Sequence, residues 1–257
     1  MFEFLGEYWK EYTVQNNELI FAARHAGVSL DGLLPTQVVK FLDRLRLEVP
    51  PEVRSSVKLA PRDSFDDFLL QQPEWKQDLI QNRTFGEGVS SFMDVLYQHD
   101  VADGICIVSD GSVKGHNMTY GWVIANPKTE AVLVEGKGPG WGLGSSLRAE
   151  AFGLLVANVF LCLMCKYVNR LEPVKVKNVA DNKTLIDRCI EHLEYKDLYP
   201  NAVMDSERDA MEEAFREATS PPLTAEFEWV RGHQNDDESL DKLSTESRLN
   251  ILADRLA

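Results

Sequence analysis

The chain has 257 residues, long enough for one large domain or two modest ones with a real core. Its 44% hydrophobic and 26% charged composition excludes a disordered or fibrous protein. A net charge of −14, from 27 Lys and Arg against 41 Asp and Glu, excludes a broadly basic surface that would bind nucleic acid indiscriminately.

Residues 1–100 read as a mainly helical N-terminal region with a structural role. "LPTQVVKFLDRLRLEV" places Val38, Val39, Leu42 and Leu45 at helical spacing, and Pro50-Pro51 stops that helix. "DSFDDFLLQQPEWKQDLIQN" predicts two short helices broken at Pro73. From residue 101 the pattern changes. "ICIVSDG" predicts a strand over 105–108 that breaks off at Ser109, "TYGWVIAN" a second, and "EAVLVEGK" a third joined to it through the Asn126-Pro127 turn. A long apolar helix follows over 147–167. Its uncharged run, 151–165, is shorter than the ~20 residues a membrane span requires, so it reads as a buried helix with no membrane partner. "VKVKNVAD" is a fourth strand, 182–193 an amphipathic helix and 205–218 another. "TAEFEWVRGH" is a fifth strand, and "ESRLNILADRLA" closes the chain as a helix. A three-strand meander followed by alternating helix and strand predicts a mixed α/β sheet over 101–257.

The four cysteines, Cys106, Cys162, Cys165 and Cys189, lie in apolar or helical surroundings, and Cys162-x-x-Cys165 has no second pair to complete a zinc site. They read as core residues of a reducing compartment. No secretory signal pattern is present, so an intracellular location, cytoplasmic or nuclear, is expected.

Four acids stand out. Asp110 follows the first buried strand, where an unpaired carboxylate is costly. Asp181 ends the fourth strand, and both emerge at one sheet edge if those strands are neighbours. Glu150 lies in the first turn of the long helix, and Asp254 sits on the last helix between Leu252 and Leu256. Singly, each has an ordinary explanation: a turn-former, an N-cap, a partner for the helix dipole, a solvent-facing residue. Gathered together they would raise one another's pKa values unless divalent cations neutralised them. Hard oxygen ligands select Mg²⁺ or Mn²⁺. Two such ions about 4 Å apart would serve phosphodiester cleavage.

"VSDGS", "SSLRAEAFGLL", "VADNKTLI", "VRGHQ" and "LNILADRLA" follow one another in the order of the type 1 ribonuclease H motifs. Over residues 101–257 the chain resembles a ribonuclease H domain of the kind carried by retroelement reverse-transcriptase polyproteins. The resemblance implies a ribonuclease H-like five-stranded mixed sheet flanked by helices. It implies a metal-dependent endonuclease that hydrolyses the RNA strand of RNA/DNA hybrids with two Mg²⁺ or Mn²⁺ ions. Asp110, Glu150, Asp181 and Asp254 would be the metal ligands, and His233 a mobile-loop histidine assisting product or proton handling. Gly111, Ser112 and Ser146 would grip the RNA strand through its 2′-hydroxyls, Ser146 standing where the family often has Asn. Asn250 matches a family Asn that supports the last helix turn. The partners implied are an RNA/DNA hybrid and an adjacent reverse-transcriptase module, with residues 1–100 a remnant of that module or its connection segment.

Three departures from the family pattern bear on this expectation. "NDDESLDKLSTES" lengthens the histidine loop. "YPNAVMDSERDAMEEAF" is acidic where a basic hybrid-binding protrusion would stand, so weak binding over a short footprint is expected. The last helix ends three residues after Asp254, so a truncated helix with a fraying final turn is expected. Other readings stay open. A haloacid-dehalogenase-type phosphatase needs a second Asp two positions after Asp110, where Ser112 stands. An actin-like ATPase needs a second Asp-Gly loop at a strand end. An inert ribonuclease H-like scaffold or interaction module is favoured by the overall acidity.

Overall fold

The computed structural model describes four strands between residues 2 and 29, and residues 64–97, 104–170, 172–194, 206–234 and 239–257. Its first unit, Met1–Arg62, holds β1 (Phe2–Leu5), β2 (Tyr8–Gln15), β3 (Glu18–His25) and β4 (Val28–Ser29), an antiparallel sheet in that order. Between residues 2 and 29 the described elements are strands, where residues 1–100 were expected to be mainly helical. "YWKEYTVQ" carries the aromatic and β-branched residues that fit a pleated surface. The helix expected around Val38–Leu45 lies outside the described residues.

The second unit, Asp63–Ala257, begins well before residue 101. The two helices expected about Pro73 are present as α1 (Phe65–Leu70) and α2 (Glu74–Ile80). Ser64 and Asp67 form a reciprocal capping box at the start of α1. β5 (Arg83–Phe85) and α3 (Val89–Tyr97) follow. These elements are built into the unit that carries the acids. Phe65 packs on Phe160 and Tyr167 at 5.7 and 5.2 Å between ring centroids. Lys76 Nζ pairs with the carboxylate of Glu217 at 2.7 Å, in a bridge whose two side chains are almost wholly buried.

The sheet continues through β6 (Ile105–Lys114), β7 (Asn117–Ala125), β8 (Val132–Pro139), β9 (Val174–Ala180) and β10 (Leu223–Trp229). Spatial order is β10-β9-β6-β7-β8-β5, with the β6–β8 meander antiparallel and β9 and β10 parallel to β6. It has six strands rather than five because Arg83–Phe85 pairs antiparallel with β8 at the edge. A three-residue strand is too short to leave a periodicity.

The helices are α4 (Ser146–Tyr167), α5 (Lys183–Glu194), α6 (Arg208–Ala218) and α7 (Thr245–Leu256). One face of the sheet is covered by α4, with α1–α3, α5 and α6 completing that core. α7 covers the other face, where Leu249 and Ala253 meet Cys106, Val108, Val123 and Val179. β6, covered on both sides, is buried from Ile105 through Asp110. By length and composition α4 could cross a membrane, but it is the core helix, apolar all round because it is buried all round. Asn158 of α4 donates to Asn178 of β9 at 2.8 Å within this core. All four cysteines are free and buried, as their surroundings implied.

Candidate metal centre

β6 does not break off at Ser109. It runs on to Lys114, pairing Asp110 with Gly121 and Gly111 with Tyr120, because the antiparallel ladder to β7 tolerates the glycine and the turn comes later, at Gly115. Its parallel ladder to β9 stops at Val108–Val179. Asp110 therefore lies two residues past the last β6–β9 pair, near Asp181, which directly follows β9. Gly111 lets the long helix close in: a Cβ there would overlap the backbone of Ala149 and Glu150. Its N–H donates to Asp110 Oδ1 at 2.8 Å.

The start of α4 is held firmly. Ser145 caps it by accepting from the Arg148 N–H, and its own hydroxyl donates to Glu207 at 2.7 Å. Arg148 bridges Glu207 and Asp209 at the start of α6, at 2.8 and 2.6 Å. These bonds place Glu150, only 3% exposed, against Asp110, 7% exposed.

Asp110, Glu150 and Asp181 each present a carboxylate oxygen, and these atoms all lie within 4.8 Å of one another. Burial first, and then the charge of Asp181, push the Asp110 carboxyl up to about 6. Burial, followed by the charges of Asp110 and Asp181, holds Glu150 well above the usual carboxylate range. Both carboxyls are thus pushed toward their neutral forms by burial and by one another's charge. Glu150 Oε2 is buried with no hydrogen-bond partner. Three converging hard oxygens, one of them orphaned, fit a divalent cation of the Mg²⁺ or Mn²⁺ type.

Asp181 is not the cap of the helix it precedes. Asn182 Oδ1 accepts from the Leu185 N–H at 3.1 Å, which leaves the Asp181 carboxylate for the cluster. Asp254 lies outside the 4.8 Å group; it is exposed, and its charge adds to the upward push on Asp110. The end of α7 is not frayed: the Thr119 hydroxyl bonds the Ala257 carbonyl, and the Ala257 N–H bonds Ala253 at 3.0 Å. His233 is exposed with a left-handed backbone, φ 50°, on the loop after β10. Gln234 pins that loop to α7 by donating to Ser247 Oγ at 2.8 Å. Ser112 and Ser146 are both exposed, Ser146 one turn before Glu150.

The reading of the sequence gave no role to Trp229, whose indole N–H donates to the Asp181 carbonyl at 2.7 Å. The signal available was its place four residues before His233 in one motif.

The fold is an α/β domain, a mixed sheet with helices on both faces, and three acids converge at the ends of its central strands. No protein-family model and no curated protein matches the chain. Among solved structures it is similar to the N-terminal ribonuclease H domain of a Mycobacterium tuberculosis protein, at 21% identity and TM-score 0.39, over 60% of this chain and 95% of that one. It is similar to a ribonuclease H1 isolated from compost by metagenomics, at 21% identity and TM-score 0.40, over 60% and 91%. A third, a type 1 ribonuclease H with the type 2 active-site motif, has 14% identity and TM-score 0.42, over 60% and 69%.

Proposed function

We propose that the chain is a metal-dependent endonuclease that hydrolyses the RNA strand of RNA/DNA hybrids with two bound metal ions. The observation that carries this is the convergence of Asp110, Glu150 and Asp181, from a strand, a helix and a strand end, into one buried group of carboxylates. Such repulsion is tolerated where cations bind. Asp110, Glu150 and Asp181 would hold the metal, with Asp254 completing the set from α7. Bound Mg²⁺ or Mn²⁺ supplies a water of lowered pKa and stabilises charge on the departing oxygen. The exposed hydroxyls of Ser112 and Ser146 flank the acids and can meet 2′-hydroxyls, the groups that distinguish RNA from DNA. His233, exposed on the loop after β10, would assist product or proton handling. The order of the sequence motifs extends the proposal to a retroelement setting with an adjacent reverse-transcriptase module. The buried free thiols fit a reducing, intracellular location.

The test is cleavage of a labelled RNA/DNA hybrid with Mg²⁺ or Mn²⁺, alongside single-stranded and duplex RNA. Asp110→Asn, which removes a ligand without changing shape, is expected to abolish hybrid cleavage and to blunt the rise in melting temperature that metal gives the parent. Near-normal cleavage by a folded Asp110→Asn protein would sink the metal assignment. A parent that neither cleaves nor responds to millimolar metal is an inert scaffold.

A further inference from the structure

We infer that Trp229 and Asn250 are positioning residues for Asp181, holding it by its backbone and its side chain from the C-terminal segment. The inference rests on the proposed nuclease reading and deepens it. Asp181 follows β9 with no strand partner beyond Ala180, and Asn182 takes the helix-capping work. Its orientation must therefore be set by neighbours. The Trp229 indole N–H donates to the Asp181 carbonyl at 2.7 Å, a good hydrogen bond, although the ring is 46% exposed. The Val230 N–H extends this attachment to the Ala180 carbonyl at 3.1 Å. From α7, Asn250 Nδ2 approaches Asp181 Oδ2 at 3.5 Å, at the outer limit of a hydrogen bond. Asn250 is 2% exposed and its Oδ1 has no partner, so the amide is buried at this spot without another bonding reason.

The third contact is with Gly232. A Cβ there would overlap Asp181 Oδ2, so the backbone just before His233 closes directly on the carboxylate. Asp181 is thus enclosed by the end of β10, the histidine loop and α7. Outer-shell partners of this kind fix the orientation of a ligating carboxylate, and their loss typically costs about 10- to 100-fold in metal affinity or activity. The indole bond is the shorter of the two and should carry the larger share.

Trp229→Phe keeps an aromatic side chain but removes the indole N–H together with the five-membered ring. In an otherwise intact protein it is expected to weaken Mn²⁺ binding, measured by isothermal titration, by about 10-fold. Hybrid cleavage should fall at limiting Mg²⁺ and recover toward the parent rate at saturating Mg²⁺, a split that a general loss of stability would not give. In the metal-free protein the backbone amide resonances of Asp181 and Asn182 should shift. Asn250→Ala should weaken Mn²⁺ binding in the same direction by a smaller factor, and it tests the idea independently if Trp229→Phe fails to fold. Trp75→Phe, on α2, should change none of these. Parental Mn²⁺ affinity together with unmoved Asp181 and Asn182 resonances in a folded variant overturns the inference. A parent that binds Mn²⁺ but leaves hybrids intact removes the nuclease reading and leaves positioning to be judged on binding. If the parent binds no metal, the resonances alone decide.

Discussion

At the scale of single residues, the acid cluster costs the metal-free fold stability, and pH reveals the cost. Unfolded, an Asp titrates near ~3.9; folded, Asp110 is pushed up to about 6 by burial and by Asp181. Between those values the folded chain binds more protons than the unfolded one, so stability must fall as pH rises through that window. Each unit of raised pKa corresponds to about 1.4 kcal/mol of preference for the neutral form. Glu150 is shifted in the same direction and prolongs the decline. Relative to Asp110→Asn, the metal-free parent should therefore lose melting temperature from about pH 4 to about pH 6. Asp110→Asn, neutral throughout, should lose less and be the more stable protein at neutral pH. Calorimetric melting of both proteins across this range decides it; a difference between them that stays constant over the interval means that Asp110 is not in a repelling cluster.

At the scale of elements, what was legible followed from local pattern. α1 and α2 were readable because Ser64 begins one and Pro73 separates them. α4 was readable because a helix buried on every side must be apolar on every side. β5 left no such trace, and β6 was cut short because Gly111 looks like a turn to any local rule while the ladder to β7 carries it through. Nor could local pattern join α2 to the core of residues 101–257, since that attachment is made at long range, by Leu79 and Ile80 in the core and by the Lys76–Glu217 ion pair, whose side chains are nearly inaccessible. Breaking a buried pair from one side strands a charge and costs about 3–5 kcal/mol, whereas replacing both partners by apolar groups can be neutral. Lys76→Met alone should thus lower unfolding free energy in urea by about that amount. Lys76→Met combined with Glu217→Leu should restore most of it. A double variant as unstable as the single one would place the cost in packing instead.

At the scale of the whole molecule, the acids were legible because each sits where an element begins or ends, and the topology that unites those ends is readable from strand and helix order. The surroundings of Asp181 were not: the indole of Trp229 and the amide of Asn250 reach it from 48 and 69 residues away. Charge is the property that sequence and structure state together. The chain carries −14 overall, and many of its cations are engaged. Arg148 is held by Glu207 and Asp209, Lys177 by Glu228 and Glu246, Arg248 by Glu130, and Lys76 by Glu217. Each phosphate neutralised on a duplex adds about −0.9 to the slope of log affinity against log salt. A protein with 6–10 phosphate contacts loses about 10³- to 10⁵-fold between about 50 and 200 mM salt. With a net charge of −14 opposing the phosphates, this chain should bind a hybrid weakly, with a slope no steeper than about −3. Fluorescence anisotropy of a labelled hybrid with Asp110→Asn, which binds without cutting, measures that slope directly. A slope near −6 would mean that a basic face forms on the substrate after all, and recognition would then rest on phosphate contacts rather than on the hydroxyls beside the acids.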